Sequence, residues 1–173
     1  MAAATKGSAD AQKSMAELSA IREQHGNEPE PLVAQIVKMT ELQELEIGSV
    51  YNASKGGFDE AVKIMRRGAA LEAAMPPPLG PPDVIKPAHE LFGEILLRAK
   101  RPKEAAEQFA TSLRRHKNRA RSLLGAARAA AQSGDTKGAA KAYAQFSRQW
   151  RQAGARSPEL REAQDYLKQA AAR

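Results

Sequence analysis

The sequence predicts an all-α protein, a right-handed α-solenoid of about three helix pairs with capping helices at both ends. Its apolar residues recur at intervals of three and four, which is the period of a helix face and not of a strand. Hydrophobic residues make up 42% of the chain and aromatic residues only 5%. Together with abundant alanine, this composition favours closely packed helices over a β-sandwich. A segment pattern also recurs every 34 residues, which indicates stacked helix pairs.

The first part of the chain is expected to precede the helix pairs. Residues 1–9 carry no apolar pattern and are expected to form a disordered tail. Residues 10–41 are expected to form an N-terminal helical segment. In this segment a short helix ends near His25, an extended link with two prolines follows, and a longer helix begins at Leu32.

A proline-rich insertion interrupts the helices. The longer helix is expected to end at Gly56 and Gly57, and another helix is expected over 58–74. Residues 76–85 then contain too much proline for a helix, because proline lacks the amide donor and fixes φ. We expect this insertion to pack back against the first two repeats through its apolar residues. Display of its P-x-x-P pattern to the aromatic groove of a partner is the alternative.

Five more helices are expected after the insertion, and their ends carry recognisable signals. Pro102 and Pro158 fall at first-turn positions, where the missing amide costs nothing. Asp135 and Ser157 are natural N-caps. Trp150 is expected to plug the core beside the last helix. The expected helices cover residues 88–100, 102–116, 118–133, 136–152 and 158–171.

An internal repeat organises most of the chain. Residues 102–109 align with 136–143 at an offset of 34, and the related segment 58–65 precedes 102–109 by 34 plus ten residues. The extra ten residues are the proline-rich insertion. The expected boundaries are therefore repeat 1 at 42–75, the insertion at 76–85, repeat 2 at 86–119, repeat 3 at 120–153 and a C-terminal capping helix at 154–173.

The repeats resemble the tetratricopeptide repeat (TPR) family, in which small residues stand where paired helices touch. In repeat 2, Phe92, Gly93 and Leu96 match the family's pattern on its first helix, and Ala105 and Phe109 match its second helix. The early tryptophan and the closing proline of the family pattern are absent from all three repeats. The corresponding residues elsewhere are Gly56, Ala61 and Met65 in repeat 1, and Gly134, Ala139 and Tyr143 in repeat 3.

The resemblance implies a ligand surface as well as a fold. The stretch 75–97 is also similar to the C-terminal part of larger bacterial TPR proteins. Family members usually bind ligands in a concave groove lined by the first helix of each pair. The Lys/Asn clamp that some members use for a partner's C-terminal carboxylate is not expected, because Glu46, Val50, Glu90 and Glu94 occupy its positions. The implied groove residues are Gln43, Glu46, Val50, Glu90, Glu94, Leu97, Arg98, Arg121, Arg128 and Gln132.

Charge is distributed unevenly along a chain whose net charge is +7. Residues 1–85 contain 8 Lys/Arg and 12 Asp/Glu, whereas residues 86–173 contain 19 and 8. A basic half can attract nucleic acid or an acidic protein segment, although a solvated arginine-rich helix surface explains the same composition. The densest cluster is a basic edge between repeats 2 and 3, formed by Arg114, Arg115, Lys117 and Arg119.

Motifs of the common enzyme and metal classes are absent from the sequence. Without cysteine the chain forms no disulfide and has no thiolate nucleophile. Its three histidines do not stand at metal-ligand spacing, and no Gly-x-Ser-x-Gly, Walker or Gly-x-Gly-x-x-Gly pattern occurs. The carboxylates Glu41, Glu44 and Glu46 are expected on a solvated helix face. We therefore expect no catalysis, cofactor or metal.

The leading functional hypothesis is a non-catalytic protein–protein interaction module or scaffold, which binds a peptide segment of a partner in the groove. The alternative is a nucleic-acid-associated adaptor that uses the basic C-terminal half. An enzyme would need an unusual site at the proline-rich insertion. No apolar run reaches the roughly 20 residues that a membrane span needs. Because the chain shows no secretory signal, a cytoplasmic location is the default expectation.

Overall fold

Helices form all of the regular structure in the described part of the chain. The computed structural model describes residues 2–76, 86–151 and 157–172, with side chains from Gly7 onward. No strand occurs in these ranges, so the predicted all-α class is confirmed. The helices are α1 (Ala2–His25), α2 (Pro31–Ser54), α3 (Phe58–Ala74), α4 (Ala88–Arg98), α5 (Pro102–Arg115), α6 (Ala120–Ser133), α7 (Thr136–Gln149) and α8 (Pro158–Ala171).

The N-terminal helices differ from the expectation in two ways. The expected disordered tail over 1–9 is wrong, because α1 already begins at Ala2. The first residues of α1 are mostly alanine, which propagates a helix without any apolar pattern. Helix α2 is one unbroken helix of 24 residues, as expected from a start at Leu32 and an end at Gly56 and Gly57. The second difference is the expected boundary between residues 41 and 42, which falls inside this helix.

The described residues form two compact units, 1–91 and 92–173. In the first unit, α1 and α2 are antiparallel neighbours. The Sδ of Met15 lies 3.4 Å from the place that a Cβ on Gly48 would occupy, and the Nε of Arg22 lies 3.1 Å from Oε2 of Glu44. The contact point moves toward the start of α2 as α1 advances. Gly48 therefore allows α1 to lie close along α2.

The helices α2 and α3 form the second pair of this unit. Gly56, at φ +82°, turns the chain between them in the left-handed region that glycine adopts without strain. On α3, Gly68 faces Leu42 of α2, whose Cδ1 lies 3.5 Å from the place that a Cβ would occupy. Met65 and Ala61 of α3 are fully buried in the resulting core. The small and bulky residues matched in repeat 1 thus lie at the packed face of α3.

The second unit is organised around Phe109. This ring is fully buried on α5 and lies between glycines of two other helices. A Cβ on Gly93 of α4 would stand 2.7 Å from the ring, and one on Gly125 of α6 would stand 2.2 Å from it. Glycine is therefore required on both sides, since any larger residue would overlap the ring. Ser112 and Ser122 add a buried hydrogen bond of 2.9 Å between α5 and α6.

The predicted N-caps and first-turn prolines of the second unit are confirmed. The carboxylate of Asp135 accepts a hydrogen bond of 2.8 Å from the amide of Gly138, and the hydroxyl of Ser157 accepts one of 3.3 Å from the amide of Leu160. Each bond satisfies one of the amides that a helix leaves unpaired at its start. Pro102 and Pro158 lie in the first turns of α5 and α8.

Two further expectations have different outcomes. Trp150 is not a core plug, since 38% of it is exposed. It stands at the C-terminal end of α7 and stacks on Phe146 at a centroid distance of 5.6 Å, so the rest of the ring faces outward. The expected packing of the proline-rich insertion concerns residues 77–85, which lie outside the described residues.

Candidate functional site

The first unit contains a cavity of about 850 Å³, hereafter the N-terminal cavity. Helix α1 contributes only small residues to its wall, which leaves room beside α2. Lys86 and Leu91 close another side. The other lining residues that matter here are Gly7, Ser8 and Ala11 of α1 and Glu46, Ile47, Val50, Tyr51 and Lys55 of α2.

Glu46 is the chemically unusual residue of this cavity. It is only 9% exposed, and its Oε1 has no hydrogen-bond partner in the described part of the chain. The pKa of its carboxyl is raised to about 8, chiefly by burial and also by the nearby charge of Glu72, while the charge of Lys86 partly opposes this rise. A mostly uncharged carboxylic acid therefore faces the cavity near neutral pH.

Its two acidic neighbours on the same helix behave differently. Glu41 and Glu44 lie beside the guanidinium of Arg22 on α1, at 3.8 Å and 3.1 Å. The expected solvated face therefore does not hold for Glu46. A signal for its burial was present in the sequence, because Leu42, Glu46, Ser49 and Ala53 follow one another at intervals of four, three and four. All four are buried along one stripe of α2.

The rim of the N-terminal cavity is polar. Lys55 donates a hydrogen bond of 2.5 Å to the hydroxyl of Tyr51 and lies 4.2 Å from the centre of its ring. This bond lowers the pKa of Tyr51. Glu72, which does not line the cavity but acts on Glu46, accepts a hydrogen bond of 3.3 Å from the backbone amide of His89 at the start of α4. Lys55 and Glu72 are thus both held by neighbours, in contrast to Glu46.

The second unit contains a smaller concavity of about 100 Å³, hereafter the C-terminal cavity. Four of the predicted groove residues line it, together with the exposed ring of Trp150. Leu124 and Phe146 form its apolar floor. The four predicted residues are Glu94, Leu97, Arg121 and Arg128.

Arg128 is already engaged within the protein. Its Nε lies 2.8 Å from Oε1 of Glu162, and its second guanidinium nitrogen lies 2.5 Å from Oε2. The hydroxyl of Tyr143 also donates to Glu162, at 2.8 Å. The hydrogen bonds from Arg128 hold the pKa of Glu162 below its usual value. Burial and this bond to Glu162 raise the pKa of Tyr143. The three residues connect α6, α7 and α8.

The other predicted groove residues line neither of these two cavities. Glu90 is fully buried, so it is an interior residue and not a surface available to a partner. Gln43 is half-buried, and Arg98 and Gln132 are exposed. The sequence placed all of them on first helices, but position on a helix does not determine which side chains face outward.

The predicted basic edge lies at the end of α5 and in the link to α6. Arg114 and Lys117 are exposed, whereas Arg115 and Arg119 are half-buried. Arg114 donates a hydrogen bond of 2.7 Å to the hydroxyl of Thr111 on its own helix. The four cations are therefore not equally available at the surface.

Neither a metal-ligand cluster nor a bilayer-spanning helix is found among the described residues. Across 2–76, 86–151 and 157–172, no group of three or more His, Asp or Glu side chains is placed to hold a metal ion. In the same ranges, none of the helices combines the length and the hydropathy that a bilayer crossing needs.

No protein-family model and no curated protein matches the chain. Among solved structures, the chain is similar to the crystal structure of PcrH from Pseudomonas aeruginosa, with a TM-score of 0.60 and 18% sequence identity. The similarity covers 75% of this chain and 91% of PcrH. At this level of identity the likeness concerns the fold. The chain therefore has a TPR-like fold and is an α-solenoid, as its 34-residue period predicts.

Proposed function

We propose that the protein is a non-catalytic interaction module, which binds an extended or helical segment of another protein. The observation that carries this proposal is the N-terminal cavity, with its volume of about 850 Å³ and its largely apolar wall. Ligand sites have volumes of about 300–1,000 Å³. The cavity is therefore large enough to take several side chains of a partner segment.

Exposed apolar surface at the cavity supports the same proposal. Val50 lines the cavity and is 43% exposed, and Ile47 beside it is half-buried. A partner that covers Val50 would remove this apolar surface from water, which favours association. Stacked helix pairs are suited to such a role, because their repetition creates extended surfaces for binding.

The proposed organisation of the module keeps the repeat boundaries given by the sequence. Repeats 1, 2 and 3 are placed at 42–75, 86–119 and 120–153, with the capping helix at 154–173. Fully buried Glu90 is left out of the proposed groove. The groove residues proposed to meet the partner are Gln43, Glu46, Val50, Glu94, Leu97, Arg98, Arg121 and Gln132. Arg128 is assigned to the internal contact with Glu162 instead.

A displayed library of random peptides tests the proposal on the intact chain. We expect selection to yield peptides whose binding is lost in Val50→Asn, because the uncharged polar side chain removes apolar contact between the cavity wall and the ligand. Lys63→Asn is the matched control, since Lys63 is exposed on α3 and does not line the cavity. Selected peptides that bind both variants equally well would contradict a role for this cavity, and so would failure to select any.

A further inference from the structure

Glu46 has an unmet hydrogen-bonding requirement. Its Oε1 is buried at the wall of the N-terminal cavity and has no partner among the described residues. A buried acceptor that is left unpaired destabilises the state that contains it, and most such groups in proteins are satisfied. A donor that enters the cavity would supply the missing bond.

The charges around Glu46 indicate which donor fits. Among the described residues, Glu72 and Lys86 are the charged groups that act on Glu46, and they carry opposite charges. Lys55 is hydrogen-bonded to Tyr51. When Glu46 ionises, its negative charge therefore adds to that of Glu72 and outweighs the single positive charge of Lys86 in this part of the structure. A cation from outside would both donate to Oε1 and balance this charge.

The walls of the cavity suit a long basic side chain. Ile47, Val50 and Leu91 offer apolar contacts, and the small residues of α1 leave space for a chain to pass. Lysine and arginine have aliphatic stems that pack on apolar surface while the charged end reaches a polar partner. A partner that presents one of them within an apolar segment would therefore contact both the apolar wall of the cavity and the carboxyl group of Glu46.

We propose that the N-terminal cavity receives a lysine or arginine side chain carried on an apolar segment of a partner protein, with Glu46 as the acceptor of its charge. This inference rests on the proposed function and adds the chemical class of the partner. Binding then favours the ionised carboxylate, so a proton leaves Glu46 when the partner enters.

The proton release gives the proposal a distinctive pH dependence. Because the free carboxyl has a pKa of about 8, affinity rises as pH rises toward that value and becomes constant above it. Among the described residues, the titratable or charged groups that act on Glu46 or share its cavity are Glu72 of α3, Lys86 before α4, and Tyr51 and Lys55 of α2. The lining residues of α1 are Gly7, Ser8 and Ala11, and none of them titrates.

Binding of three defined peptide pools to the intact chain tests the proposal. The pools are short Leu/Ala/Ser peptides that carry lysine, norleucine or glutamate at one fixed position, and fluorescence anisotropy reports their binding. We expect the lysine pool to bind about tenfold tighter than the norleucine pool at pH 8, which is one order of magnitude in the equilibrium constant. We expect Glu46→Gln to remove most of this preference, and Glu60→Gln, an exposed carboxylate on α3, to retain it.

The wild-type chain provides a second readout that does not depend on any variant. From pH 6 to pH 8 its affinity for the lysine pool should rise by about tenfold or more, whereas its affinity for the norleucine pool stays constant. Calorimetry in two buffers of different ionisation enthalpy should show the release of a proton. A lysine preference that is absent, independent of pH, or unchanged in Glu46→Gln would overturn the inference.

The failures of the two proposals are distinguishable. If displayed peptides are selected and depend on Val50 but show no preference for lysine, the proposed function stands and this inference fails. If none of the three pools binds, this inference also fails. The proposed function fails only when selection yields no peptide whose binding depends on Val50.

Discussion

Arg128 and Glu162 form a two-pronged ion pair across a sequence separation of 34 residues, which is the period of the repeats. Ala129 and Ala163 are also 34 residues apart, and both are fully buried. Ala163 of α8 belongs to one core cluster with Leu124 of α6 and Phe146 of α7. The C-terminal helix thus packs on α6 and α7 through both apolar and charged contacts.

The ion pair should stabilise the docking of α8. We expect Arg128→Ala to lower the free energy of unfolding by about 1 kcal/mol, because the pair is bidentate but its side chains are still 42% and 35% exposed. Lys168→Ala on α8 is the control, since the pair of Lys168 with Asp165 is far more exposed. Urea unfolding measures the difference, and equal stability of the two variants would contradict this role.

Acid should weaken the same contact. The pKa of Glu162 is held below its ordinary value of 4.5 in the folded protein, so its contribution to stability is present above pH 4.5. This contribution is lost as pH falls through the lower folded-state pKa. Hydrogen exchange of α8 should therefore accelerate in acid more in the wild type than in Glu162→Gln, which has no such carboxylate to protonate.

Glu46 should have the opposite effect on the pH dependence of stability. Its pKa is about 8 in the folded protein and near 4.5 in an unfolded chain, so the folded state keeps the proton between these values. The contribution of Glu46 to the free energy of unfolding is fully present below pH 4.5. It then declines up to about pH 8, by at most about 1.4 kcal/mol per pH unit. We expect Glu46→Gln to flatten this decline and to be more stable than the wild type at pH 8. Thermal melting between pH 5 and pH 8.5 measures both effects, and a decline that persists in Glu46→Gln would assign it to another group.

The packing of Phe109 predicts the effect of a single methyl group. Gly→Ala inside a helix normally stabilises by about 1 kcal/mol. At Gly125 the new Cβ would lie 2.2 Å from the Phe109 ring, so we expect Gly125→Ala to destabilise by about 1–3 kcal/mol instead. Gly7→Ala, with open space around it on α1, should be neutral or stabilising. Phe109→Leu should reduce the cost of Gly125→Ala in a double-mutant cycle, and a cost that stays the same would place the strain elsewhere.

The basic edge should be dispensable for the fold and for peptide binding. We expect glutamine at Arg114 and Lys117 to leave helicity and the affinity for selected peptides unchanged, because both side chains are exposed. Circular dichroism and anisotropy measure these two properties. Binding of a labelled RNA oligonucleotide that weakens steeply with salt, and weakens again in this variant, would instead favour the nucleic-acid alternative.

The helix ends could be predicted because their causes are local. Gly134 at φ +85°, the side-chain cap of Asp135 and the first-turn Pro158 each act within a few residues, so the sequence shows them directly. The period of 34 residues could be predicted for a related reason. Packing contacts such as that between Phe109 and Gly125 need small and bulky residues at fixed positions, so the same residue types recur along the sequence.

The site chemistry could be predicted only in part, because it depends on which elements close over a residue. The burial of Glu46 requires α1 to lie along α2, and residues 2–9 of α1 have no apolar pattern that predicts this contact. Likewise, the sequence predicts Arg128 as a groove residue, whereas in the structure its guanidinium binds Glu162 of α8. The sequence therefore predicts which helices carry the site, whereas the state of each charged group depends on tertiary contacts.

A methyl-labelled sample of the intact chain, titrated with the tightest peptide of the lysine pool, tests the central claim most directly. NMR spectra should show shifts concentrated at Ile47, Val50 and Leu91, and the carboxyl carbon of Glu46 should move to its ionised position at pH 7. Shifts that avoid these methyl groups, or a Glu46 carboxyl that keeps its proton in the complex, would contradict the account.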